Sequence, residues 1–188
     1  MPITDIRIIK GDALMPQIAK TQKKLREARF FFNCLLNKNR LTNLEAEEFD
    51  FYLSAFLSAG RSVTFLLQAE EKGLYDSWFP KWKTSQTLED QKLLYFINEQ
   101  RVEAVHRLGA EAKTDIEYIQ LSKIRNSQRR HPAYGFHWWE PPGTPEPKIG
   151  QQVYYFERNG TKKEVISVCK HYIELIERLV KDFLQYSL

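Results

Sequence analysis

Only two cysteines occur in the chain, Cys34 and Cys169, and neither belongs to a CxxC motif or a Cys/His cluster. That excludes a disulfide framework and makes a structural zinc site an unsuitable expectation. Both fall on apolar helical stripes, as buried reduced thiols do. No apolar run approaches the length needed to span a bilayer, and no secretory apolar region follows Met1. A soluble, cytoplasmic protein without a membrane partner is the expectation. There is no glycine-rich phosphate loop, no HExxH and no nucleophile-elbow pattern. No metal or other cofactor is expected. A large excess of one charge is also missing: the formal net charge of +4 permits an anionic partner without requiring one.

What the chain does contain is a core-forming composition. Of its 188 residues 43% are hydrophobic, enough for one domain to bury a core without staples. We read residues 1–188 as a single helical domain. Residues 3–10 alternate at Ile6 and Ile8 and suit a short strand. A helix is expected from about Ala13 to Leu41, with Pro16 in its first turn and Leu25, Ala28, Phe32, Leu35 and Leu36 on its apolar face. Thr42 and Glu45 have capping-box spacing, and a long helix should follow to about Lys72. Its small residues, Ser54, Ser58, Ser62, Ala55 and Ala59, repeat every four positions and would let another helix approach. Arg61 lies inside this apolar segment and should be held in a structural ion pair.

Beyond Gly73, YDSWFPKW reads as a short aromatic segment interrupted by Pro80, its tryptophans covering the core. Thr87 is an expected N-cap for a helix that carries Leu93, Leu94, Ile97, Val105 and Leu108. Thr114 to Glu117 has the spacing to cap a further helix to about Arg125. Residues 132–150 hold five prolines and three glycines and exclude helix, opening an insertion at about 132–160. QVYYFE then alternates as a strand, and Asn159-Gly160 should turn the chain. Thr161 and Glu164 again have capping-box spacing. The closing helix should face inward with Val165, Val168, Cys169, Tyr172, Ile176, Leu179, Val180 and Phe183. The sum is a mainly α protein: a four- to five-helix antiparallel bundle with a small β element at about 3–9 and 135–158.

The chemistry left to such a chain is arginine with histidine. Histidine exchanges a proton near neutral pH, and arginine holds a phosphate bidentately. An arginine and a histidine separated by four to six intervening residues occur at Arg101…His106, Arg125…His131 and Arg130…His137. The first pair lies on the inner helix, where Arg101 shares a stripe with Leu94, Ile97 and Val105. Five residues rotate a helix by about 140°, so His106 and Arg101 meet one small target only through a bend or a second subunit. Lys123, Arg125, Arg129 and Arg130 form a basic run beside the loop, and with Asn126 and His131 they suit contact with RNA. A second cluster, Lys20, Lys23, Lys24, Arg26 and Arg29, fits a solvated helix face. His137 stands between Phe136 and Trp138-Trp139, which could stack bases but more commonly cover a core.

FDFYLSAFLSAGRSVTFLLQ, the tryptophan-rich stretch, FINEQRVEAVHRLG and the closing EVISVCKHYIELIERLV together resemble a bacterial branch of the HEPN superfamily, the higher-eukaryote and prokaryote nucleotide-binding domains. The likeness covers about residues 20–110 and 160–186. It implies a metal-independent endoribonuclease with Arg101 and His106 as the active pair, contributed by both subunits of a homodimer. A toxin or defence component with RNA as substrate and an antitoxin-like partner belongs to the same expectation. The family pattern has Asn or Asp after the arginine, where this chain has Val102; Arg125-Asn126…His131 matches that finer pattern. A non-catalytic HEPN-like module that binds nucleotide, RNA or protein, and a structural dimerisation domain, are the alternatives.

Overall fold

The computed structural model describes residues 18–38, 46–106, 112–120, 148–158 and 160–187. Among them are five helices and a three-stranded antiparallel sheet. The elements run α1 (Ala19–Lys38), α2 (Ala46–Glu70), α3 (Lys72–Ser85), α4 (Leu88–His106), β1 (Lys113–Gln120), β2 (Lys148–Arg158), β3 (Thr161–Glu164) and α5 (Val165–Tyr186). The protein is thus a helical bundle with a small β element, as the periodicity implies. The strand expected at residues 3–9, the Thr42–Glu45 cap and residues 132–147 lie outside the described residues.

Helical periodicity determines the core. On α1, Ala28, Phe32 and Leu35 are buried, with Leu25 and Leu36 half-buried beside them. On α5 every expected inward residue is buried except Val168, which is half-buried, and Ile173 and Leu175 join them. Burial of so many branched and aromatic side chains is what holds the bundle, at about 1.5–3 kcal/mol for each large one. Cys169 is fully buried and Cys34 half-buried, both as free thiols; burial pushes the Cys169 thiol well above its ordinary range.

Glu70, at the last position of α2, secures the start of α1. Its carboxylate accepts the backbone N–H groups of Lys20 (2.8 Å) and Thr21 (2.9 Å) and the Thr21 hydroxyl (2.7 Å). Two donors that the first turn of a helix leaves unsatisfied are met from a neighbouring helix. The basic residues of α1 take the solvated role expected of them, with Lys24 on Glu27 (2.7 Å) and Arg29 on Glu177 through Nε (2.9 Å) and Nη2 (2.5 Å).

Three local expectations need correcting. The aromatic segment around Pro80 is helix α3, not an interruption. Tyr75, Trp78 and Trp82 recur at helical spacing and are buried, and Trp82 Nε1 donates to Asp182 of α5 at 2.9 Å. That packing outweighs the roughly 3 kcal/mol that an interior proline costs a helix. Thr114–Glu117 does not begin a helix; it lies in β1, which pairs with β2 from Lys113 opposite Tyr155 to Gln120 opposite Lys148. Thr114, Ile116 and Tyr118 alternate on β1, and sheet pairing prevails over the capping-box spacing. Thr161–Glu164 is likewise strand β3. Glu164 stands before α5 with no side-chain cap, and its carboxylate accepts the Ser167 hydroxyl at 2.6 Å instead.

The expected turn is borne out at its described residue, Gly160. Arg158 pairs with Thr161 across it, and Gly160 has φ +75°, the left-handed region that favours glycine. The resulting hairpin docks on the bundle through β2. Tyr154 stacks on Phe49 of α2 (centroids 3.6 Å apart), and Phe156 meets Phe96 of α4 edge to face (5.4 Å).

Candidate functional site

Arg61 of α2 and Arg101 of α4 both lie near enough to Tyr172 of α5 for their charges to act on its hydroxyl. Helix α2 approaches α5 closely here because residue 60 is glycine. A Cβ on Gly60 would stand 2.6 Å from Tyr172 Cε1. Phe56, one turn earlier, meets the same ring edge to face at 6.0 Å. Gly60 belongs to neither of the small-residue sets expected to admit a neighbour, Ser54, Ser58 and Ser62 or Ala55 and Ala59, yet it is here that α5 comes close.

The Tyr172 ring is 2% exposed. Burial pushes its hydroxyl far above the ordinary tyrosine range, while the positive charges of Arg61 and Arg101 both pull it down. Tyr75 of α3 responds in the same way: burial raises it to about 12 against the opposing pull of Arg61. Arg61 thus acts on both buried phenols, and Arg101 on that of Tyr172.

Neither arginine is sealed by a carboxylate among the described residues. Arg61 Nη1 donates to the Thr64 hydroxyl at 2.5 Å, and its guanidinium lies 4.0 Å from the Phe65 ring centroid. Those contacts stand where an ion pair was expected. The Nε atoms of Arg61 and Arg101 are both buried with no hydrogen-bond partner among the described residues. A buried donor without a partner costs about 1–3 kcal/mol, more when charged, unless a ligand meets it.

Arg101 is half-buried, as its stripe implied, and Ile97 one turn before it is buried. His106 is the last residue of α4; its side chain lies outside the described residues. So do Lys123, Arg125, Asn126, Arg129, Arg130 and His131, the expected RNA-contact run. Val102, beside Arg101, is exposed.

A second polar cluster escaped the sequence reading. Asp90, in the first turn of α4, is buried, and both its oxygens are engaged by α5. Oδ1 lies 2.7 Å from His171 Nε2, and Oδ2 accepts from Arg178 Nη2 at 2.8 Å. Thr87, the expected N-cap, accepts the Asp90 backbone N–H at 3.1 Å. Burial would raise the Asp90 carboxyl, but the hydrogen bonds from His171, Thr87 and Arg178 prevail and hold it below the ordinary range. An ionised carboxylate only accepts, so His171 Nε2 is the donor and Nδ1 is left to other partners. The available signal was the spacing of seven between His171 and Arg178, which puts both on one helix face. Among the described residues no group of His, Cys, Asp or Glu could hold a metal ion, and no helix is long and apolar enough to cross a membrane.

No protein-family model matches the chain, and neither a curated protein nor a solved structure gives a significant match.

Proposed function

We propose that this bundle is an RNA-acting domain of the HEPN kind, a metal-independent endoribonuclease in which Arg101 holds phosphate and His106 moves the proton. The observation that carries it is the Arg101 guanidinium. Its Nε is buried without a partner among the described residues, and it shares Tyr172 with the equally unsealed Arg61. An anion held by both guanidinium groups would offset the repulsion between them. A phosphodiester supplies that anion, and its oxygens fit the planar fork of a guanidinium.

The chemistry needs no metal. His106 takes the proton of a ribose 2′-hydroxyl as the 2′-oxygen attacks the adjacent phosphorus. The bond to the 5′-oxygen breaks, and that oxygen takes up a proton as it leaves. The products are a 2′,3′-cyclic phosphate and a 5′-hydroxyl. Arg101 neutralises the charge that grows on the pentacoordinate phosphate. The rotation of about 140° between the two residues on one helix makes a homodimer, with residues from both copies at one phosphate, part of the proposal. A cytoplasmic toxin or defence role, restrained by an antitoxin-like protein, suits a nuclease of this kind.

One observation favours a second reading, binding without cleavage. Val102 is 38% exposed and follows Arg101 where the resemblance would have Asn or Asp. Valine offers no hydrogen bond to a scissile phosphate.

Both readings require phosphate at the two arginines. Binding of single-stranded RNA should weaken steeply with salt. Arg61→Ala and Arg101→Ala, each checked for retained helicity, should each weaken binding and reduce the log–log salt slope by about 0.7 for every phosphate no longer neutralised. RNA binding that ignores both substitutions overturns phosphate binding there.

A further inference from the structure

A cavity of about 760 Å³, the size of a small-ligand site, lies between α4, β3 and the start of α5. Neither Arg61 nor Arg101 lines it, so it is separate from the arginines of the RNA reading. His171 opens into this cavity with its side chain 38% exposed, while that of its partner Asp90 is 5% exposed. Asp90 Oδ1 takes the Nε2–H of His171 at 2.7 Å, and Arg178 holds Oδ2 at 2.8 Å. The imidazole is thereby kept in one tautomer, with its lone pair on Nδ1. Burying an ionised carboxylate is costly, and a hydrophobic pair would join α4 to α5 without it. What the carboxylate adds is an imidazole oriented as a base beside a cavity.

The lining narrows what that base could act on. Leu88, Leu93, Phe96 and Val168 give the cavity an apolar wall. Its charges cancel, Lys92 and Lys163 against Glu89 and Glu164. A neutral molecule with an apolar group suits such a lining, whereas the two acids repel a phosphodiester. Neither lysine is in an ion pair among the described residues, which leaves both cations available to a developing oxyanion. Ser167, one turn before His171, donates its hydroxyl to Glu164 at 2.6 Å and so is not aimed at the imidazole. Water is therefore the nucleophile.

We propose that His171, positioned by Asp90, makes this cavity a hydrolytic site for neutral carboxylic esters with an apolar acyl group. A water molecule attacks the carbonyl carbon as its proton passes to His171 Nδ1. The tetrahedral intermediate then collapses, the carbonyl carbon–alkoxy oxygen bond breaks, and the imidazolium returns the proton to the departing alkoxide. The products are a carboxylic acid and an alcohol. His171 is the catalytic residue and Asp90 a positioning residue that fixes its tautomer.

Hydrolysis of p-nitrophenyl butyrate and p-nitrophenyl acetate tests the proposal. Butyrate carries two more methylenes onto the apolar wall and should have a KM about tenfold lower. Nitrophenol should appear without an initial burst, since no acyl-enzyme forms. His171→Gln keeps a donor for Asp90 but lacks the base, and should lower kcat at least about a hundredfold in the folded protein. Imidazole added to folded His171→Ala should restore part of the lost rate. Asp90→Asn should lower kcat about tenfold or more with KM unchanged, and Ser167→Ala should match the parent. The proposal is overturned if the parent hydrolyses butyrate no faster than free imidazole at equal concentration. Full kcat in folded His171→Gln or Asp90→Asn, a burst of nitrophenol, or loss of activity in Ser167→Ala overturns it equally.

Discussion

Gly60 and Tyr172 are in contact across the α2–α5 interface, with room for a hydrogen on the glycine Cα but not for a methyl. The nearest ring carbon is 2.6 Å from where a Cβ would stand, and the ring is itself buried against Phe56. Gly60→Ala should therefore destabilise the protein by about 1–3 kcal/mol, although alanine is the better helix former. Chemical denaturation measures it directly. A stabilised Gly60→Ala variant would show that the helices separate freely at this point. Because Arg61 is the next residue, the substitution should also weaken RNA binding more than its stability loss explains.

Glu70 should act as a cap supplied from outside the helix it caps. Its carboxyl feels burial, which raises it, but the Thr21 hydroxyl and the Thr21 and Lys20 backbone donors outweigh that and lower it. Glu70→Ala should cost about 1–2 kcal/mol, and Glu70→Gln less, since the amide oxygen still accepts one donor. Hydrogen exchange should localise the effect, with amides of the first turn of α1 losing protection before those of α5.

Asp90 gives a pH dependence of defined sign. Its folded carboxyl lies below the ordinary value, so its contribution is fully present above the ordinary carboxylate range. It is lost as pH falls below about 4 and through the depressed folded value. Asp90→Asn should cost about 1–3 kcal/mol at neutral pH, because His171 and Arg178 lose a charged acceptor in a buried place. The gap between variant and parent should narrow steadily in acid. Thermal melts of both proteins from pH 7 to 3 check this, and a constant gap would remove the carboxylate's charge from the explanation.

Much of the fold was legible because it depends on a repeat. Phe32 and Leu35 on α1, and Cys169, Ile176 and Phe183 on α5, follow from helical spacing alone. Gly160 was legible from turn chemistry. The failures came where local chemistry and tertiary contact disagree. The Thr114–Glu117 spacing suggests a helix start, but β1 gains its partner from residues 148–155, far along the chain. Pro80 argues against helix, yet α3 forms because its tryptophans pack on Phe183 and hydrogen-bond to Asp182.

The site divided in the same way. That Arg101 would turn inward was legible from its stripe. That Arg61 would meet a threonine hydroxyl and a phenyl ring, and would share Tyr172 with Arg101, depends on three helices and was not. The Asp90–His171–Arg178 cluster joins residues 81 and 88 positions apart; the spacing of His171 and Arg178 put those two on one face, but nothing local named Asp90 as their partner.

The central claim is that Arg101 and His106 act together on RNA phosphate. Its most direct measurement is incubation of single-stranded RNA with the purified protein in EDTA, followed by mapping of the product ends. The expected result is fragments with 2′,3′-cyclic phosphate and 5′-hydroxyl ends, at a rate that falls at least a hundredfold in His106→Ala and in Arg101→Ala while both variants remain folded. Cleavage that persists in either folded variant, or RNA left intact by the parent protein, would contradict it.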